Sequence, residues 1–296
     1  MHDGQMLFDA SGTWNGTEWR VDEVLSDLIA QGHVRPTLVV GVWNRPGFRH
    51  VEYTPQKPID NLDGSIRTGI LSMRRPDGEQ LFPDGMVESD AYLKFLVTEL
   101  LPYVRTKYIT DKEAGHNYLM GSSMGGLISL YGWMEYPEVF EAAACLSTHW
   151  PVGFDAKTNH AFLLLEYLRK SVPEPARRKL YMDTGDQELD AMYLPSQSKA
   201  DTIFMAAGYS PKQYRSVVAA GHRHNEVDWA KRLPEAFRFL MGADVEPVKG
   251  TAVEPVKGTA VEPVKKTGVE PVKGTGVEPV NGNGEGNSVK PAKPKN

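Results

Sequence analysis

The stretch NYLMGSSMGGLISLYGW, residues 117–133, constrains the fold more than any other part of the chain. A short apolar run passes through Gly-Ser-Ser-Met-Gly and straight into a helical pattern, with no loop between. Only small residues at Gly121, Gly125 and Gly126 allow so tight a turn and let the helix pack back on the strand it has left. A strand buried on both faces with a helix folded over it is the unit of a parallel α/β sheet.

The rest of the first 242 residues repeats this alternation. TLVVGVW (37–43), HNYLMGS (116–122), AAACLS (142–147), KLYMDTG (179–185) and YRSVVAAG (214–221) read as buried strands. Between them VDEVLSDLIAQG, SDAYLKFLVTELLPYV, the run from Met124 to Tyr136, HAFLLLEYLRK, the weaker ELDAMYLPSQSKADTIFMAAG and NEVDWAKRLPEAFRFL read as covering helices. The expected class is therefore α/β, with a mostly parallel sheet flanked by helices. From Asn44 to about Ser89 no element is legible; its aromatic and basic content suits either a substrate-facing segment or a surface excursion.

From Val245 an eight-residue unit, VEPVKGTA and its variants, repeats five times. Each copy carries a proline and only two valines to bury, too little to offset about 1–2 kcal/mol of backbone entropy per ordered residue. Residues 243–296 are thus expected to be a disordered tail, and residues 1–242 the catalytic domain. The tail reads as drift of a tandem repeat or as a spacer or docking arm.

A net charge of −5 leaves no electrostatic footprint for nucleic acid, and no apolar run approaches the ~20 residues of a membrane span. The single cysteine, Cys145, excludes an intramolecular disulfide and fits a reducing compartment. With no leader visible at the start, the cytoplasm is the expected location.

Ser123 stands at the apex of the turn, where a nucleophile elbow needs its serine, with the helix N-terminus behind it to favour developing negative charge. Ser122 precedes the apex and suits the role less well. A serine hydroxyl needs a base, and the base an orienting acid, in the chain order Ser, acid, His. Asp186 and Glu188 follow KLYMDTG, and His222 and His224 follow YRSVVAAG, both groups just past strand ends where parallel sheets place their sites. His222 and His224 could also form half of a metal site, but no third ligand stands at a helpful spacing.

DGQMLFD, VVGVWN with RHVEYTP, MGSSMGGLISLY, YPEVF, MDTGDQE and GHRHNEVDWAKRLPEAFRFL resemble, in order, the blocks of the α/β-hydrolase esterases that include enterochelin esterase-like, feruloyl esterase-like and esterase D-like proteins. The resemblance covers nearly all of residues 2–241 and is weakest between 60 and 90. It implies a serine carboxylic ester hydrolase acting on a small acyl, aryl or siderophore-type ester, with no metal and no cofactor. Ser123 would be the nucleophile, His224 the base and Glu188 the acid, Asp186 being the alternative. The oxyanion would be held by the amides of Met124 and, from the HDGQ loop, Gln5. Trp43, Asn44, His149 and Trp150 would line the acyl or alcohol pocket, or else pack in the core.

Two other readings share these residues: an acyltransferase using the same acyl-enzyme, and a hydrolase-shaped binding or scaffold module. The resemblance also implies strands ahead of HDGQ that this chain, starting at Met1, does not show. A sheet lacking them would be completed by a second subunit, making a homo-oligomer, or leave an exposed edge.

Overall fold

The structure, a computed structural model, describes residues 1–75, 77–108, 116–153, 160–176 and 178–242. The tail expected over 243–296 lies outside them. Four of the five expected strands form: β1 (Tyr118–Ser122), β2 (Ala142–Leu146), β3 (Lys179–Gly185) and β4 (Tyr214–Ala219). All neighbours are parallel and lie in chain order, with Gly121 opposite Cys145 and Cys145 opposite Met182.

β2 shows why the sheet is covered on both sides. Successive side chains of a strand point to opposite faces, and Ala142, Ala144 and Leu146 join one apolar cluster while Ala143 and Cys145 join another. The first cluster packs against α1 (Val21–Ala30) and α11 (Glu226–Met241), through Leu25, Leu28, Trp229, Leu233 and Phe237. The second packs against α7 (Met124–Glu135), α8 (Ala161–Ser171) and α10 (Leu194–Ala206), through Leu127, Ile128, Trp133, Leu164, Leu168 and Phe204. Small alanines in β2 let both helical layers approach the sheet closely.

The run expected as one helix from Ser89 is continuous but uneven: α5 (Ser89–Phe95), a π-helical turn at Leu96–Leu100 and α6 (Leu101–Lys107). Pro102 has no amide to give to the preceding turn, and the Leu101 amide bonds instead to the Leu96 carbonyl.

Two expectations are corrected. Residues 37–43 do not form a strand; one isolated parallel bridge joins Val42 to His2, whose amide in turn donates to Met120 O of β1. A parallel ladder propagates only beside a partner, and here the partner is a few residues long. Beyond it, residues 35–40 face a groove of about 550 Å³ bordered by Leu96, Val104 and Tyr118. The region 44–89 is not irregular either. It folds into α2 (Arg49–Tyr53), α3 (Gln56–Asp60) and α4 (Gly64–Leu71) around Val51, Ile59, Ile70, Leu81 and Phe82, with Val152 packed among them. These helices are too short to show a clear 3.6-residue period, which is why the sequence does not reveal them.

Among the described residues no helix is long and apolar enough to cross a membrane.

Candidate active site

β1 ends at Ser122 and α7 begins at Met124, so Ser123 alone makes the turn. It does so at φ 57°, ψ −123°, a conformation that costs a non-glycine residue of order 1–3 kcal/mol. The closeness of strand and helix enforces it: a Cβ on Gly121 would lie 2.6 Å from the Gly125 backbone. Two backbone bonds hold the apex, from the Ser123 amide to Leu146 O (2.9 Å) and from the His149 amide to Ser123 O (3.1 Å). Ser123 is half-buried and Ser122 buried, so the apex residue is the one that can meet a substrate.

His224 sits in the turn between β4 and α11, and its Nδ1 lies 2.5 Å from Asp190 Oδ1. Asp190 is fully buried at the end of the single turn α9 (Glu188–Ala191). Its carboxyl is driven up by burial but more strongly down by the bond from His224 and by those from Ser147 and the Gly185 amide, and ends below the usual range. It is a carboxylate at neutral pH.

Glu188 and Asp186, the carboxylates singled out in the sequence, do not reach His224. Gln187 is extended and Glu188 turns left-handed at φ 52°, which starts α9 and throws the Glu188 side chain outward to Arg223 (3.5 Å). Asp186 caps the Gly221 amide (2.7 Å). One helical turn then brings the next carboxylate, Asp190, back over the sheet. Asp190 was hidden because ELD reads as the start of a covering helix; its only signal was being a third acid in the block.

The turn carrying His224 is fixed from α11. Asn225 Oδ1 accepts the Asp228 amide (2.9 Å), and Asp228 Oδ2 accepts the Arg223 amide (2.8 Å), a reciprocal cap. Burial raises the Asp228 carboxyl, but bonds from Lys231 and the Arg223 amide outweigh it and bring it down to about 2. A depressed carboxyl stabilises the fold above its unfolded value of about 3.9 and loses that effect as pH falls toward 2. Asp228→Asn is therefore expected to cost roughly 1 kcal/mol at pH 7, with the difference from wild type shrinking below about pH 4. Urea unfolding at several pH values measures it.

A tyrosine missed in the sequence joins the site. The Tyr193 hydroxyl bonds to His149 Nδ1 (2.7 Å) and lies beside the Ser123 side chain, and its ring meets that of His224 edge to face at 5.6 Å. Tyr193 thus ties Ser123, His149 and His224 into one cluster. Burial, and then the charges of His50, His224 and Arg49, push the His149 imidazole well below its ordinary value, so it is neutral. Trp150 is wholly buried in the apolar core. Trp43 is 69% exposed, and Asn44 turns back to donate to Asp3 Oδ1 (2.7 Å).

The HDGQ loop lies between Val42 and β1. The His2 amide donates to Met120 O, the Gly4 amide to Val42 O and the Met6 amide to Asp3 O, each at 2.9 Å. These bonds pass over the Gln5 amide, which lies between two of the donors. Arg49 grips Asp3 through both carboxylate oxygens at 2.8 Å, Tyr53 accepts the Asp3 amide, and the neutral His2 ring is wedged between Tyr53 and Tyr92. Helix α2, from the region that looked featureless, therefore clamps this loop against the elbow.

Residues 70–240 match the family described as "Putative esterase". The uncharacterized protein YbbA of Bacillus subtilis (strain 168) is 20% identical over 226 residues, 74% of this chain and 79% of its own. Among solved structures, an IroE-like serine hydrolase from Shewanella oneidensis superposes with a TM-score of 0.56 at 20% identity, covering 81% of this chain and 68% of that one. The siderophore hydrolase EstA from Aspergillus nidulans gives 0.50 at 18% identity, with 81% and 80% covered. The fold is that of the α/β-hydrolases. The family match spans more than half of the sequence, and the chain belongs to this esterase family as a carboxylesterase-type hydrolase.

Proposed function

We propose that the chain cleaves small acyl, aryl or siderophore-type esters through an acyl-enzyme on Ser123, with His224 as base and Asp190 as its orienting acid. One observation carries this reading. A serine strained at the apex of a strand–turn–helix shares a cluster with a histidine whose Nδ1 is held 2.5 Å from a buried carboxylate.

Asp190 accepts the Nδ1 proton of His224, which leaves Nε2 as the basic nitrogen. Nε2 takes the Ser123 proton as Oγ attacks the ester carbonyl. The imidazolium so formed is stabilised by the Asp190 carboxylate and returns the proton to the departing alcohol. Water, deprotonated by the same nitrogen, then releases the acid. The oxyanion of each tetrahedral intermediate is met by the Met124 amide, at the N-terminus of α7, and by the Gln5 amide, with each such donor worth a factor of about 10²–10³ in rate. The siderophore class is favoured by the likeness to a siderophore hydrolase, and the exposed Trp43 offers an aryl group a face to stack on.

A panel of esters varied in acyl length and in alcohol, with intact-mass detection of the acyl adduct, tests the proposal. Acylation at a residue other than Ser123, or none with any ester, would overturn it. The clamp on the oxyanion loop gives a separate expectation. Arg49→Lys keeps the charge beside Asp3 but loses the two-pronged grip, and is expected to lower kcat about 10-fold with KM nearly unchanged, since the donor acts in the transition state. Steady-state kinetics on the best ester of the panel would show it.

A further inference from the structure

Behind the His224–Asp190 pair lies a buried polar cluster that the reaction as written does not use. Asp190 gives only Oδ1 to His224. Its Oδ2 receives the Ser147 hydroxyl (2.6 Å) and the Gly185 amide (2.6 Å), with Arg232 Nη2 at 3.8 Å. The Ser147 oxygen also receives Trp229 Nε1 (2.9 Å) and Arg232 Nη2 (2.8 Å). Indole and guanidinium N–H groups can only donate, so they occupy the acceptor sites of that oxygen, and its single proton must go to Asp190. The hydroxyl therefore has one possible orientation.

Ser147 reaches this position by standing at φ 43°, a second strained serine at the end of the strand beside β1. Arg232 completes the cluster through Asp183 Oδ1 (3.1 Å). Ser147, Asp183 and Asp190 are wholly buried and Arg232 nearly so. Four segments, the ends of β2 and β3, α9 and α11, converge on one carboxylate. Trp229, which anchors Ser147, also packs edge-on against the His224 ring at 4.9 Å.

We propose that Ser147 and Arg232 are positioning residues that keep the Asp190 carboxylate ionised with Oδ1 aimed at His224, and so set how far into acid the site stays active. The inference rests on the esterase reading of this site. The donors on Oδ2 and the Arg232 cation beside it stabilise the charged carboxylate over the neutral acid, so losing one raises the pH below which Asp190 is protonated. The other titratable groups around the pair are Asp183 on β3, His149 after β2, Tyr193 after α9, and His222 with the Arg223–Glu188 pair toward solvent. His149 stays neutral and Tyr193 stays protonated across the working range, because burial is the largest influence on each. Asp183, raised to about 6 by burial against the pull of Arg232, titrates within that range and needs its own control.

The test is the pH profile of kcat/KM for a short p-nitrophenyl ester, in wild type and three variants. Ser147→Gly removes the hydroxyl at a φ that glycine adopts freely, and Ser147→Ala removes it while keeping the strain. Both are expected to raise the acid limb by about 0.5–1 pH unit and to lower kcat roughly 10-fold, in line with the loss of one hydrogen bond to a charged group. Asp183→Asn removes a negative charge and turns Arg232 toward Asp190, so its acid limb is expected to move down. A merely structural Ser147 would give two variants with different Tm and an unmoved limb. That result, or an upward shift in Asp183→Asn, would overturn the inference while leaving the esterase reading intact. A wild type that is never acylated at Ser123 would overturn both.

Discussion

Ser123→Ala is expected to abolish ester turnover, lowering kcat by about 10⁶ and leaving only what the oxyanion donors and binding can do alone. The effect is this large because the alcohol oxygen forms the covalent bond and no neighbour can replace it. Ser122 is buried with its chain direction set by β1, and the Tyr193 oxygen is held protonated by burial. The backbone at position 123 is strained for any L-residue, and alanine sits there no worse than serine, so the variant should fold. Unchanged unfolding beside lost activity and lost acylation is the expected pair of measurements; equal hydrolysis by both proteins would show that the elbow is not the nucleophile.

Asp190→Asn is expected to lower kcat about 10⁴-fold, because an amide at this position can donate to Nδ1 and so favour the tautomer that carries its proton on Nε2, where the base is needed. It also leaves no charge to offset the imidazolium. Glu188→Gln, at an exposed side chain paired with Arg223, is expected to stay within about 3-fold of wild type, as surface changes usually do. Measuring both variants on one ester separates the carboxylate that the fold places against His224 from the one that spacing after Gly185 suggests. Near-normal activity in Asp190→Asn with loss in Glu188→Gln would reverse the assignment.

Much of the fold was legible in the residues. β1 and β2 are short apolar runs, α1 stops just before Gly32 as its pattern predicts, and the small residues around Ser123 announce the elbow, because each signal is local and needs only neighbours in the chain. Elements whose stability comes from distant partners were not legible. Helices α2 to α4 exist because Val51, Ile59, Ile70 and Phe82 find one another, and residues 37–43 miss their ladder because the strand-like run beside them is short.

The candidate site divides along the same line. Ser123 could be singled out by a turn that only small residues permit, and a place after a strand narrowed the histidine to His222 or His224, the family resemblance choosing His224. Which acid meets His224, that Tyr193 touches Ser123, and that Arg49 of a short helix clamps the loop bearing Gln5 were decided by tertiary structure alone. Sequence spacing measures distance along the chain. A left-handed residue at Glu188, followed by one helical turn, exchanges which carboxylate faces solvent and which faces the histidine, and that reversal costs the spacing nothing.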